Sequence, residues 1–406
     1  MIVSEINAHS CEQLDNLHKV QWTIPMKIIS VVGARPNFMK IAPFVNAIEA
    51  HNTSHPDNPV RHILVHTGQH YDMRMSEGFF RSLSIPDPDI NLEIGSGSHA
   101  EQVGQTMIAF EKVLLQEKPD WVVVVGDVNA TLACSVTAKK LCVKVCHIEA
   151  GLRSGDITMP EEINRLVTDR LSDLLLTPDL MSSGNLRREG VPEERIGFVG
   201  NIMIDTLEAN RDKAIALDPA SILTDNLLAP GAVCPALSDG YVLLTMHRPS
   251  NVDRQEVLEP ILNFLTDEVA ARMPAVWPIH PRTQKMLQSF GLWDKAVACP
   301  NLVLLHPLGY HEMLRLNMQA TIMLTDSGGL QEECCVLGTP CLTLRWNTER
   351  PVTLKEHGGA SVLVGNNVER IRYEFLIALE GGRVPQRPDL WDGKAAVRCF
   401  EELLKR

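Results

Sequence analysis

One pattern constrains this chain more than any other. Short apolar runs rich in Val, Ile and Leu recur along it, each ending in a glycine or polar cluster and most leading into residues at helical spacing. Such runs stand at residues 28–32, 63–66, 121–125, 143–148, 174–177 and 196–199. A run with no polar alternation reads as a strand buried on both faces, as in a parallel sheet with helical crossovers. After the first run, Phe38, Ile41, Val45 and Ile48 fall on one side of a helix. Strand, loop and helix in regular succession predict a doubly wound parallel sheet.

The rhythm breaks over residues 216–239, where Pro219, Pro230, Gly231 and Pro235 stand, with Gly240 just beyond. This stretch reads as a helix end and a long surface loop. The alternation then restarts, with runs at 241–245, 275–279, 302–305, 321–324 and 341–344. A chain of 406 residues suits two cores better than one. The expected organisation is an extension at 1–26, a Rossmann-like domain at 27–205 and a second at 206–385. A C-terminal helix within 386–406 is expected to pack back on the first domain. Two α/β domains then face each other across a cleft, and ligands of open parallel sheets sit at the carboxyl ends of the strands.

The polar clusters fall at those strand ends. Gly33-Ala34-Arg35-Pro36-Asn37-Phe38-Met39-Lys40 follows the first strand and opens a helix. Helix N-termini carry unpaired N–H groups suited to phosphate, and Arg35 and Lys40 add cations. Thr325-Asp326-Ser327-Gly328-Gly329 repeats the arrangement in the second half. Ser327 is placed to cap the helix, Gly328 and Gly329 let an anion approach the backbone, and Glu333 could accept two ribose hydroxyls. No Walker loop is present. Asp127 and Glu149 follow neighbouring strands, while Glu161 and Glu162 open a helix at Pro160. Taken singly the acids read as structural, but several at the strand ends of one sheet favour acid/base chemistry. His247 and His280 end strands of the second half.

Composition removes other classes. Net charge is −12 and no basic stripe is visible, so a nucleic-acid partner is not expected. The 10 cysteines contain no CxxC and read as reduced thiols. No His, Asp, Glu or Cys set has metal spacing, so neither metal nor cofactor is expected. No apolar run is long enough to span a bilayer, and no signal peptide is evident, which makes the cytoplasm the default.

The segments VVGARPNFMK, TGQHYDM, VVGDVNATLA, HIEAGLR, MPEEINR, TMHRPSNVD, IHP, TDSGGLQEE and LRWNTERP run in order from residue 31 to about 351. Together they resemble the non-hydrolysing UDP-N-acetylglucosamine 2-epimerase family. That resemblance implies the GT-B architecture, a homodimer, and interconversion of UDP-GlcNAc and UDP-ManNAc without an added redox cofactor. It implies elimination of UDP to a 2-acetamidoglucal and re-addition with C2 inverted. Asp127, Glu149, Glu161 and His247 match the family's catalytic positions. Arg35, Lys40, Arg165, His280, Ser327, Gly328, Gly329, Glu333 and Arg350 match positions that hold the UDP-sugar. Gln69, His70 and Asp72 are candidates for a regulatory UDP-GlcNAc site, Asp72 standing where some bacterial members carry Gln. Carboxylates crowded around one sugar should lift one pKa and keep a proton available at neutral pH. A UDP-2,3-diacetamido sugar acid stays open as substrate. So do a hydrolysing epimerase, a GT-B glycosyltransferase and a UDP-sugar-binding regulator.

Overall fold

A computed structural model describes residues 25–68, 87–228 and 234–406. The apolar runs form two all-parallel sheets. The first has seven strands: β1 (Lys27–Val32), β2 (Arg61–His66), β3 (Ile90–Asn91), β4 (Trp121–Val125), β5 (Lys144–Ile148), β6 (Leu174–Thr177) and β7 (Ile196–Phe198). Their spatial order is β3-β2-β1-β4-β5-β6-β7. The second has six: β8 (Val242–Thr245), β9 (Ala275–Pro278), β10 (Leu302–Leu305), β11 (Ile322–Thr325), β12 (Cys341–Thr343) and β13 (Ser361–Leu363), in the order β10-β9-β8-β11-β12-β13. All five residues of β4 are buried, as a central strand covered on both faces requires. This is the GT-B arrangement of two Rossmann-like halves.

Strand order reverses between β1 and β4 in one sheet and between β8 and β11 in the other. Neighbouring crossovers leave on opposite faces there, which opens a crevice at the strand ends. Into these crevices run α1 (Arg35–Ser54), α2 (Asn129–Lys140) and α3 (Pro160–Leu171) of the first half. The halves meet along α4 (Ile202–Ile215) and α5 (Tyr310–Gln319), where His311 Nε2 lies 2.8 Å from Asn210 Oδ1. From the second half comes α6 (Gly328–Leu337).

The expected long loop contains a helix instead. Pro219–Asn226 is helical, with Pro219 in its first turn and Asp218 accepting from the Ser221 N–H at 3.1 Å. A proline in the first turn loses no hydrogen bond, so a residue that reads as a breaker here starts the helix.

The chain ends in α7 (Ala395–Leu404). Its Cys399, Phe400 and Leu403 are buried in the core that also holds Ile28, Ile41 and Phe44 of the first half. The Phe44 and Phe400 rings meet edge to face at 6.1 Å. Asp205 caps α7, accepting from the N–H groups of Ala395 at 3.0 Å and Ala396 at 2.7 Å. Among the described residues no helix is long and apolar enough to cross a membrane.

Candidate active site

A cleft of about 510 Å³ lies between the carboxyl ends of the two sheets. Lys40, Asp127, Glu161 and Arg165 line it from the first half, and His247, Ser327, Gly328, Gly329, Glu333 and Arg350 from the second. Glu149 stands just behind this wall, 4% exposed. His280 lies beside it rather than in it. Its Nδ1 accepts from the Arg282 N–H at 3.1 Å, capping Pro281–Ser289, and its ring is 5.5 Å from that of His247. Arg35 opens α1, but its side chain is outside the described residues, as are Gln69, His70 and Asp72.

Asp127 projects from the loop between β4 and α2. The backbone turns there at Gly126, whose φ is +69°. The Asp127 carboxylate meets Arg165 Nη1 at 2.5 Å, and Asn164 donates to its backbone carbonyl at 2.8 Å. Arg165 is itself fixed by Glu162, at 3.0 Å from Nε and 2.8 Å from Nη2. Glu162 also accepts from the Ser154 and Gly155 N–H groups, at 3.0 Å each. The Glu161-Glu162 pair is therefore divided by helix geometry: Glu161 faces the cleft and Glu162 supports Arg165.

Glu149 adopts φ +73°, a left-handed conformation strained for a residue with a side chain. That turn aims its carboxylate inward, where Lys40 Nζ pairs with one oxygen and Arg350 Nη2 lies 3.3 Å from the other. The second contact joins the two halves. Burial alone would push the Glu149 pKa up, but the charges of Lys40 and Arg350 outweigh it and hold the group below its usual range. The expected proton store is therefore not Glu149. Burial lifts Glu333 instead, to about 7, with Glu332 adding to the effect and Tyr310 and Asn317 opposing it. Burial also lifts Glu332, in spite of Arg350.

In the second half Ser327 stands at the N-cap of α6, but its hydroxyl makes no cap bond. The first N–H groups of α6 thus face the cleft without a side-chain acceptor, which suits an anion. A Cβ on Gly328 would stand 2.6 Å from Arg350 Nη1. Beneath this turn sits Asp326, fully buried. Its Oδ2 accepts from the N–H groups of His247 at 2.9 Å and Arg248 at 2.7 Å, and its Oδ1 is 2.9 Å from His247 Nδ1. Burial pushes its pKa up, yet His247 and these N–H groups bring it below the usual range. A buried carboxylate thus orients the His247 ring and turns Nε2 outward.

Arg350 is held by Glu332 at 2.8 Å from Nε and by Glu349 at Nη1, while Arg345 holds Glu349 at 2.6 Å. Sequence reasoning singled out none of Asp326, Glu332, Arg345 and Glu349 individually. Each lies within a motif already noted, and for Asp326 the only signal is its place directly after a strand. The whole presents cations and helix N–H groups on one side and carboxylates with a histidine on the other. It can hold a diphosphate while moving protons on the group attached to it. Among the described residues no cluster of His, Cys, Asp and Glu could hold a metal ion.

Comparison with known proteins adds an independent line. The pattern of a family described as UDP-N-acetylglucosamine 2-epimerase matches residues 52–404. A UDP-N-acetylglucosamine 2-epimerase of Methanocaldococcus jannaschii is 42% identical, over 93% of this chain and 99% of its own. A UDP-2,3-diacetamido-2,3-dideoxy-D-glucuronate 2-epimerase of Pseudomonas aeruginosa is 39% identical over 94% of this chain and all of its own. A crystal structure of the M. jannaschii UDP-GlcNAc 2-epimerase with UDP-GlcNAc and UDP superimposes with a TM-score of 0.82. It is 41% identical and covers 94% of this chain and 100% of that one.

Proposed function

The chain belongs to the UDP-N-acetylglucosamine 2-epimerase family, and from that membership we propose that it interconverts UDP-GlcNAc and UDP-ManNAc by eliminating UDP and adding it back. The hydrogen on C2 is not beside a carbonyl, so direct removal is unfavourable. As the C1–O bond to UDP breaks, positive charge builds at C1 and the C2 proton becomes acidic. A base takes that proton, the diphosphate departs with the bonding electrons, and a 2-acetamidoglucal remains. UDP then returns to C1 while a proton reaches C2 from the opposite face.

The observation that carries this reading is the shared cavity. The acids of the first half and the Ser327-Gly328-Gly329 turn of the second line one cleft. Lys40, Arg350 and the N-terminus of α6 receive the departing diphosphate, where preorganised donors lower the barrier most. Asp127, Glu161 and His247 carry the protons, and Glu333 holds the ribose. Glu149, kept ionised by Lys40 and Arg350, ties the acid side of the cleft to the phosphate side. A homodimer in the cytoplasm belongs to the same reading.

The test is NMR of UDP-GlcNAc with the protein in D₂O. Deuterium entering at C2 while UDP-ManNAc appears supports the assignment, and free UDP accumulating in step with ManNAc overturns it in favour of hydrolysis. One observation favours a second substrate: the Pseudomonas relative, which acts on a diacetamido uronate, is nearly as similar as the archaeal one. Turnover of that sugar nucleotide with UDP-GlcNAc left untouched would establish it.

A further inference from the structure

The loop carrying Asp127 is held from behind by a group that does not face the cleft. His147, in β5, is fully buried. Its Nδ1 lies 2.6 Å from Asp169 Oδ1, and its Nε2 lies 2.8 Å from the carbonyl oxygen of Gly126. A carboxylate and a backbone carbonyl both only accept, so each ring nitrogen donates. Asp169 is anchored in turn, accepting from the Gly151 N–H at 3.0 Å and from Arg153 at 2.7 Å.

The Gly126 carbonyl belongs to the peptide bond that continues into Asp127. Its plane fixes where the Asp127 side chain leaves the backbone, and a glycine at φ +69° gives little steric restraint of its own. We propose that His147, braced by Asp169, is a positioning residue for Asp127: its bond to the Gly126 carbonyl sets the angle at which the Asp127 carboxylate meets the sugar. The inference rests on the acid role given to Asp127 above.

Two substitutions separate positioning from mere support. In His147→Asn the amide ends near the former Nδ1, keeping the bond to Asp169 and losing the one to Gly126. In His147→Gln the amide reaches the former Nε2, keeping Gly126 and losing Asp169. The Asn variant should lose about tenfold to a hundredfold in kcat for C2 exchange, the scale of a displacement near 1 Å. Its UDP Kd should stay within about twofold, and the Gln variant should keep kcat within a few-fold of the parent. A purely structural role gives losses of turnover that follow melting temperature in both variants alike. That outcome, or an Asn variant at parental kcat, overturns the proposal. A measurement on the unaltered protein covers the case in which neither variant folds. A scalar coupling across the hydrogen bond from His147 Nε2 to the Gly126 carbonyl carbon is expected, and an Nε2 without hydrogen overturns the proposal. An unaltered protein that fails to exchange C2 hydrogen faults the assigned reaction instead and leaves this coupling to decide whether the brace exists.

Discussion

Glu333 makes folding and ligand binding depend on pH in a way that can be worked out. Glu333 is 3% exposed, and burial raises its pKa from 4.5 to about 7. A raised carboxyl keeps its proton in the folded state while the unfolded chain has already lost it. Its stabilising contribution is complete below about pH 4.5, declines as pH rises, and is gone once pH passes about 7. The rise of roughly 2.5 in pKa corresponds to about 3 kcal/mol, of which about 2.5 kcal/mol falls between pH 5 and pH 8. Glu333→Gln keeps the shape and removes the titration. Urea unfolding of parent and variant at those two values should therefore show the variant gaining about 2.5 kcal/mol on the parent as pH rises, other groups cancelling in the difference. Parallel curves would refute the argument and mean that the buried carboxyl finds enough donors to ionise freely. The same charge governs binding. A carboxylate that accepts two ribose hydroxyls must be ionised, so affinity for UDP-GlcNAc should fall towards tenfold per pH unit below about 7 in the parent and stay flat in Glu333→Gln.

Other perturbations test the remaining parts of the cleft. Asp127→Asn should lower turnover by about 10²–10⁴ while UDP binding, followed by calorimetry, is retained. Arg350→Met removes the cation shared by Glu332, Glu349 and Glu149; leaving these buried carboxylates short of a partner should cost about 3–5 kcal/mol in chemical unfolding and weaken UDP binding. Gly328→Ala sets a methyl 2.6 Å from Arg350 Nη1 and 2.8 Å from Glu349 Oε1, and should lower stability by about 1–3 kcal/mol. Gly329→Ala meets nothing within 4 Å, so its stability should change by less than about 0.5 kcal/mol while the methyl, in front of the α6 N-terminus, weakens UDP binding.

Much of this arrangement is legible in the residues themselves. Runs such as Trp121–Val125 state their burial by lacking polar alternation, and their two successive series build the two separate sheets. Strand-end position was enough to bring Asp127, His247 and the Ser327-Gly328-Gly329 turn to one cleft, because parallel sheets put their loops on one side. What escaped the sequence is what depends on side-chain direction. Glu161 and Glu162 are neighbours in the chain, yet about 100° of helix rotation sends one to the cleft and the other under Arg165. Glu332 and Glu333 are divided in the same way, one on Arg350 and the other facing Tyr310. The sign of the Glu149 shift could not be read either, since burial and two cations compete and only their distances decide. Pro219 misled because one residue type both ends helices and begins them.

The placement of α7 bears on how the protein is made. Phe400 and Leu403 fill the core around Phe44, so the half of the molecule that leaves the ribosome first stays incomplete until α7 has been synthesised. Until then the nascent domain presents an apolar gap, and it cannot finish folding ahead of its neighbour. A message that stops before α7, or a protease that removes it, would therefore open a core shared by the half carrying Asp127 and Glu149 and by Cys335, Val336 and Leu337 of α6.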